Sequence, residues 1–269
     1  MSGFPRRIVC LTEETTETLY LLGEQDRIVG ISGFTVRPPE ARRDKPKVSA
    51  FTSAKIEKIL ALKPDLVLGF SNLQADIARD LIREGVNVLV FNQRSVDEIF
   101  DMMRALGRIV NAAERAEALL SSIKSGLDAV VESAAALPFR PVVFFEEWMD
   151  PLISGIRWVE ELVEIAGGRP AFPTLRFEHD ARNRIVSHEQ VIQANPDVII
   201  GSWCGRKVSF DQIRGRPGWG QIHAVASGNL YEVKSSLILQ PGPAALTGGV
   251  RAIHEILKKA TSQSRQSSV

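Results

Sequence analysis

Two stretches of the sequence decide the fold: EKILALKPDLVLG at residues 57–69 and EQVIQANPDVIIG at residues 189–201. They have the same first glutamate, the same Pro-Asp pair and the same final glycine, and their apolar positions match in kind. Each copy predicts a short amphipathic helix that stops before the proline, because proline disfavours the helical region for the residue before it. The apolar run that follows is typical of a parallel strand covered on both faces.

A second correspondence lies upstream of each copy. Residues 8–11 read IVCL and precede a helix ending at Gly23, while residues 142–145 read VVFF and precede a helix ending at Gly167. Two matches in the same order favour an internal duplication. The sequence therefore predicts an α/β protein with two parallel-sheet, Rossmann-like lobes. Predicted strands lie near 7–11, 27–31, 65–70, 87–91, 141–146, 197–202 and 229–233, and predicted helices near 15–22, 54–62, 75–84, 157–166, 187–194 and 244–259.

An alanine-rich segment, residues 112–136, lies between the two copies and lacks proline. Its apolar residues recur at three- and four-residue spacing, which predicts one long helix. We interpret it as the link between the lobes; the alternative is a surface helix within a single domain. The predicted boundaries are an N-terminal lobe at 1–110, a linking helix at 111–137, a C-terminal lobe at 138–260 and a disordered tail at 261–269.

Composition excludes several classes of protein. The chain has 269 residues and a net charge of +1, without the basic excess that nucleic-acid binding needs. No apolar run approaches the roughly 20 residues of a membrane span, so we expect no membrane insertion. The first residues lack the apolar segment of a secretory signal, which predicts a cytoplasmic location. We also expect a monomer.

The motifs of common enzymes are absent from the sequence. There is no GxGxxG after a strand, no P-loop and no GxSxG. His188-Glu189 and His254-Glu255 begin like a zinc-protease motif, but Ile192 and Lys258 stand where the second histidine is needed. We therefore expect no enzyme, no metal site and no intrinsic cofactor.

Candidate binding residues follow the predicted strands, because ligands of open parallel sheets sit beyond the carboxyl ends of the strands. Aromatic residues recur there and suit a broad, partly apolar ligand. Charged residues beside them are expected to orient it, Arg206 more than Lys207, because a guanidinium offers five donors and also stacks on rings. The predicted ligand-binding residues are Phe51, Phe70, Glu147, Trp148, Trp203 and Arg206.

Alternatives remain for several of these residues. Phe51 and Phe70 also fit ordinary core positions. Cys204 fits either a small buried residue or a metal ligand and reactive thiol whose pKa is lowered by nearby basic residues. Glu146 and Glu147 are adjacent on a strand, so their side chains point to opposite faces and do not easily share a site.

The sequence as a whole resembles the periplasmic cobalamin- and iron-siderophore-binding proteins of ABC importers. The resemblance rests on RIVCL at 7–11, TETLYLLG at 16–23, DRIVGI at 26–31, PKV at 46–48 with IEKILALKPDLV at 56–67, RPGW at 216–219 and NLYEV at 229–233. It implies two α/β lobes joined by one long helix, with a corrinoid, heme or ferric siderophore bound between the lobes and delivered to a membrane permease. Phe51 and Phe70 occupy places where the cobalamin-binding members have tryptophan.

The resemblance also implies one acidic residue on each lobe that docks to the permease. Asp76 is the candidate on the first lobe, whereas Gln221 stands where a glutamate is expected on the second. The alternative functions are a cytoplasmic enzyme that acts on a tetrapyrrole or metal complex, with Cys204 and Glu146 or Glu147, and a regulatory or storage relative.

Overall fold

The computed structural model describes residues 3–266 and shows α-helices and β-strands in alternation. The strands are β1 (Ile8–Cys10), β2 (Ile28–Ser32), β3 (Lys47–Ser49), β4 (Leu66–Phe70), β5 (Val88–Phe91), β6 (Val142–Met149), β7 (Leu152–Ser154), β8 (Arg169–Pro170), β9 (Val198–Gly201) and β10 (Leu230–Glu232). The helices are α1 (Glu13–Leu21), α2 (Pro39–Asp44), α3 (Ile56–Ala61), α4 (Ala75–Arg83), α5 (Val96–Ile109), α6 (Ala113–Ala135), α7 (Arg157–Ile165), α8 (His188–Ala194), α9 (Phe210–Arg214), α10 (His223–Ala226), α11 (Ser235–Ile238) and α12 (Val250–Gln266). A π-helical turn, Ala245–Gly249, precedes α12.

The chain divides into two compact units. Unit 1 comprises residues 3–93, 97–123 and 241–243, and unit 2 comprises residues 94–96, 124–240 and 244–266. One of the crossings between them, at residues 123/124, falls inside α6, the long helix that the alanine-rich segment predicts. The α/β class with two sheet-containing units is confirmed.

The sheet of unit 1 is entirely parallel, with the strand order β3-β2-β1-β4-β5. Successive residues of β1 point to opposite faces of this sheet. Ile8 packs with Leu19 and Leu106 on one face, while Val9 packs with Val67 and Leu81 on the other. The apolar runs in the sequence are therefore explained by burial on both faces.

The sheet of unit 2 is mixed and has the order β10-β9-β6-β7, with β8 also paired to β6. β6, β9 and β10 are parallel, whereas β7 is antiparallel to β6 and was not predicted. A register shift between Glu146 and Trp148 marks a bulge in β6. Bulges bend a strand and redirect its side chains, so this one affects the residues at the end of β6.

The duplicated stretches end their helices and strands in the same way. Lys63 and Asn195, the residues before the two prolines, both have positive φ angles, 48° and 39°. A Cβ on Gly69 would lie 2.8 Å from Oε1 of Gln74, and one on Gly201 would lie 2.8 Å from Cγ1 of Val208. Both copies have a final glycine because a side chain from the segment after each strand occupies the space that a Cβ would need.

The chain end differs from the expectation of a disordered tail at 261–269. Helix α12 continues to Gln266, and Thr261 is buried with its hydroxyl group donating to the carbonyl oxygen of Leu257. Residues 267–269 lie outside the described part of the chain. Among the described residues, no helix is long and apolar enough to cross a membrane.

The helix terminus at Lys63 allows a test of this backbone geometry. Lysine is disfavoured at positive φ, whereas glycine adopts it without steric cost. We expect Lys63→Gly to stabilise unit 1 by about 1 kcal/mol, measured by urea unfolding followed by circular dichroism. The matched control is Lys58→Gly inside α3, which should destabilise by about 1 kcal/mol. Equal losses in both variants would contradict the role of the backbone angle.

Candidate functional site

A buried glutamine connects three strand ends of unit 1. Nε2 of Gln74 donates to the carbonyl oxygen of Phe51 at 2.8 Å and to that of Leu11 at 3.4 Å. Its Oε1 accepts from the backbone amide of Phe70 at 2.9 Å. We call the side of each sheet at which the parallel strands end its carboxyl edge. One side chain therefore fixes the backbone at the carboxyl edge of unit 1, where ligands of such sheets bind.

The two predicted phenylalanines of this edge differ in burial. Phe51 is half-buried and remains a candidate for ligand contact. Phe70 is 5% exposed on a central strand and lies opposite Phe91 of β5. Phe70 is thus a core residue, which was the alternative reading of its sequence position.

Two exposed apolar residues at the carboxyl edge of unit 1 were not selected from the sequence. Phe34 follows β2 and is 64% exposed, and Leu73 follows β4 and is 55% exposed. Their position directly after strands was the available signal. Large apolar side chains that remain exposed beside a strand end are suited to contact an apolar ligand.

Two buried glutamates follow β1 at the same edge. Oε2 of Glu13 accepts from the backbone amide of Val36 at 2.8 Å, and Oε1 of Glu14 accepts from the Thr12 hydroxyl group at 2.5 Å. The other oxygen of each carboxyl group has no hydrogen-bond partner among the described residues. Burial raises the pKa of both glutamates to about 7, so both carboxyl groups titrate near neutral pH.

A buried carboxylate organises the carboxyl edge of unit 2. Glu146 has no exposed surface and accepts from Nη1 and Nη2 of Arg216 at 2.6 and 2.8 Å. Its Oε1 also accepts from the indole nitrogen of Trp203 at 2.8 Å. Arg216 in turn lies over the ring of Trp219, 4.3 Å from its centroid. This network joins the end of β6 to the segments that follow β9 and α9.

The structure corrects the expectation that Trp203 lines the binding site. Its side chain is 2% exposed and packs in the core of unit 2 with Phe144 and Val208. The hydrogen bond to Glu146 satisfies the indole N–H inside that core. The sequence could not distinguish the two tryptophans at strand ends, because burial depends on how the following loop folds back.

Glu147 points to a different partner from Glu146, as strand geometry requires. Its two oxygens accept from Arg184 at 2.7 and 3.2 Å, and Arg184 is 1% exposed. Arg184 also donates to the backbone oxygen of Ser154 on β7. The carboxylate predicted to bind ligand therefore neutralises a buried arginine and attaches the segment 181–184 to the sheet.

Trp148 presents the accessible aromatic surface of this edge. It is half-buried, its indole N–H donates to the carbonyl oxygen of Asp150 at 3.0 Å, and the guanidinium of Arg206 lies 5.9 Å from its ring centroid. Trp148 lies opposite Ile153 on β7, and Ile153 bridges to Ile185, which is 45% exposed. Directly opposed residues share one face, so an apolar row extends from the tryptophan.

Arg206 is held by a short turn, residues 202–208, that we call the β9 turn. Its backbone amide donates to the carbonyl oxygen of Trp203, and Gly205 supplies the positive φ angle that the turn requires. At the end of the turn, the backbone amide of Val208 donates to Oε1 of Glu232 at 3.3 Å. Lys207 is exposed on the same turn.

Cys204 does not have the environment expected of a reactive thiol. Partial burial, followed by the nearby Glu147 carboxylate, raises its pKa above the ordinary value. The proposed lowering by Arg206 and Lys207 is therefore wrong, and a less ionised thiol is a poorer nucleophile. Within residues 3–266, no group of three or more His, Cys, Asp and Glu side chains is placed to hold a metal ion.

The candidate docking residues are both exposed. Asp76 lies in the first turn of α4 and forms an ion pair with Arg79 at 2.7 Å. Gln221 ends a short 3₁₀ turn after the Pro-Gly pair. Neither position changes the sequence-based reading, in which an acidic residue is present on one unit and absent from the other.

Comparison with known proteins places this arrangement in a family. Residues 8–237 match the family described as Periplasmic binding protein. The match covers more than half of the chain, and the chain belongs to this family. Because the family consists of binding proteins, the expectation that the chain is not an enzyme is confirmed.

Two curated relatives show the same extent of similarity. An ABC transporter substrate-binding lipoprotein, YvrC of Bacillus subtilis, is 28% identical over 254 residues, covering 91% of this chain and 77% of the relative. A vitamin B12-binding protein of Vibrio cholerae is 26% identical over 249 residues, covering 90% of this chain and 86% of the relative. The resemblance inferred from the sequence motifs is confirmed.

Solved structures agree on the fold. The periplasmic vitamin B12-binding protein BtuF of Vibrio cholerae has a TM-score of 0.75 at 24% identity, covering 95% of this chain and 98% of that one. The periplasmic heme-binding protein RhuT of Roseiflexus has a TM-score of 0.80 at 23% identity, covering 94% and 99%. At these identities the likeness establishes the fold alone.

The family membership contradicts the predicted cytoplasmic location. The family is one of periplasmic binding proteins, and the Bacillus subtilis relative is named as a lipoprotein. The prediction was wrong because it depended on the first few residues of the chain. Those residues carry no information about the segments with which related proteins reach the outside of the membrane.

The Glu146 network yields a stability prediction for unit 2. Glu146→Ala leaves Arg216 and the Trp203 indole without their acceptor, and removing one partner of a buried ion pair costs about 3–5 kcal/mol. All four tryptophans lie in unit 2, so urea unfolding followed by tryptophan fluorescence reports on this unit. The control Asp211→Ala breaks an exposed pair with Arg214 and should stay within about 0.5 kcal/mol of wild type. Similar small losses in both variants would contradict this role.

The raised pKa of Glu14 yields a pH prediction for unit 1. The folded pKa of about 7 exceeds the ordinary value of 4.5, so the contribution to stability is complete below pH 4.5 and is lost as pH rises through 7. We expect Glu14→Gln to reduce the loss of stability between pH 5 and pH 8 by up to about 3 kcal/mol. Urea unfolding followed by circular dichroism measures the difference. The exposed control Glu40→Gln should leave the pH profile unchanged; a Glu14→Gln profile as steep as wild type would refute the assignment.

Proposed function

We propose that this protein is the substrate-binding receptor of an ABC importer and that its ligand is a metal chelate of the corrinoid, heme or ferric-siderophore type. The family membership supports the receptor role. Relatives named as vitamin B12-binding, together with structures of heme-binding proteins and of an Fe³⁺-hydroxamate transport system, support the ligand type. These ligands are transported cargo and not cofactors of the protein.

The observation that carries the proposal is the pair formed by Trp148 and Arg206. The ring is open to solvent on part of its surface, and the guanidinium lies within cation–π distance of it. A broad ligand with an apolar body and oxygen atoms at its rim matches both groups, because the ring contacts the body and the guanidinium donates hydrogen bonds to the rim. Phe51 and Phe34 offer apolar contacts at the carboxyl edge of unit 1.

We also propose that Asp76 contacts the permease. Its carboxylate is 85% exposed at the start of α4, and the neighbouring Arg79 orients it without burying it. An exposed charge of this kind contributes to the rate and orientation of docking more than to affinity. Gln221 supplies no charge at the second position, so docking by unit 2 would depend on hydrogen bonding.

Calorimetric titration with cyanocobalamin, hemin and ferric siderophores tests the ligand proposal. We expect one chelate class to bind and Trp148→Ala to weaken its binding by about 2 kcal/mol, the contribution of burying one large side chain. Phe139→Ala is the matched control, because Phe139 is 41% exposed just before β6, at the opposite end of the same strand. The control should bind as tightly as wild type.

One result would contradict the proposed function, and another would contradict only the assigned binding surface. If none of the chelates binds, the receptor function for this ligand type fails. If a chelate binds with equal affinity to wild type and Trp148→Ala, the function stands but the assigned surface is wrong.

A further inference from the structure

Three cationic side chains at the carboxyl edge of unit 2 have no ion-pair partner among the described residues. Arg206 and Lys207 follow β9, and Lys234 follows β10; all three are exposed. Two other arginines near this edge, Arg184 and Arg216, are neutralised by Glu147 and Glu146. Unpaired cations at a strand end are available to a ligand, whereas paired ones are not.

The strands bring these cations beside the partly exposed Trp148. β9 lies between β6 and β10, and Gly201 at the end of β9 is opposite Glu232 at the end of β10. The β9 turn and Lys234 therefore leave the sheet next to each other, on the side where Trp148 lies near the end of β6. The ring and the positive charges belong to three neighbouring strand ends of one unit.

The acidic residues of these strand ends are mostly engaged. Glu146 and Glu147 accept from arginines, and Glu232 accepts from the backbone amide of Val208. Asp150 is the exposed carboxylate that follows β6. A backbone hydrogen bond does not cancel the charge of Glu232, so the three cations stand against two carboxylates without an ion-pair partner, Asp150 and Glu232. An excess of one positive charge remains in the described part of this edge.

The β9 turn holds Arg206 in place before any ligand arrives. Trp203 fixes its first half through the hydrogen bond to Glu146, and Val208 fixes its second half through Glu232 and through packing against Gly201. A guanidinium on a fixed turn loses less conformational entropy on binding than one on a free loop. Such preorganisation favours charge-assisted hydrogen bonds to an anionic group.

We infer that the ligand carries anionic oxygen groups on a planar or conjugated body, and that Arg206, aided by Lys207 and Lys234, binds those groups while Trp148 contacts the body. This inference rests on the proposed function and narrows it. Chelates with carboxylate or catecholate oxygens are bound in preference to neutral amide or hydroxamate chelates of similar shape.

Matched ligand pairs test the inference. Calorimetry compares hemin with its dimethyl ester, cyanocobalamin with the monocarboxylate obtained by hydrolysing one side-chain amide, and a ferric tris-catecholate with a ferric tris-hydroxamate. The pair that contains the most tightly bound chelate decides the test, and wild type should bind its anionic member at least tenfold more tightly than its neutral member. The chemistry of that pair shows whether carboxylate or catecholate supplies the charge. Higher salt should reduce the difference in affinity between the two members.

Variants assign the preference to the side chains. Arg206→Ala should weaken binding of the anionic member at least tenfold and leave the neutral member within twofold, and Lys234→Ala should act in the same direction with a smaller effect. The control Arg214→Ala removes an exposed arginine of the same unit, on α9, that is already paired with Asp211, and should change neither affinity. Circular dichroism and tryptophan fluorescence confirm that each variant is folded.

Two results distinguish a failure of this inference from a failure of the proposed function. If chelates bind but the neutral member binds as tightly as the anionic one, or if Arg206→Ala weakens both members equally, the inference is overturned and the proposed function stands. If no chelate binds in either form, the proposed function fails and the inference fails with it.

Discussion

The carboxylate of Glu146 is fully buried and accepts hydrogen bonds from the guanidinium of Arg216 and from the indole of Trp203. Burying a single carboxylate in a protein core is costly unless it is paired and hydrogen-bonded. The fold of unit 2 meets this requirement by bringing two separate loops to the end of β6. The position of the β9 turn, and of Arg206 on it, depends on that requirement being met.

At the carboxyl edge of unit 1, the strand ends are connected by a neutral side chain. Gln74 connects the chain after β1, β3 and β4 through backbone hydrogen bonds, and Gly69 leaves room for its side chain. An amide needs no counter-ion to be buried. In both units a glycine lies within one residue of the end of the strand, and the following segment packs against this glycine, through Gln74 in the first unit and Val208 in the second. The two units therefore share this backbone arrangement but differ in the buried polar group.

The sequence predicts most of the central strands because their apolar runs are set by burial on both faces, as in β4 and β9. It does not predict β7, whose three residues follow a Pro-containing turn and pair with β6 across a bulge. Among the candidate site residues, Trp148 and Arg206 remain accessible, while Phe70 and Trp203 are buried. Strand-end position is visible in a sequence, but burial depends on tertiary packing of the next loop, which periodicity does not encode.

The buried Trp203 and the partly exposed Trp148 have complementary roles that follow from this packing. Trp203 packs in the core and anchors the β9 turn there. Trp148 keeps part of its ring exposed to solvent because the bulge in β6 changes the direction of the strand before the strand ends. Arg206 connects the two, since its backbone amide bonds to Trp203 and its guanidinium lies over Trp148. Residues that fix the loops and residues that face the solvent are therefore different side chains. Under the proposed function, substitutions at exposed positions such as Arg206 or Lys234 would change the ligand preference without loss of the buried network, because function is carried by surface residues placed on a common fold.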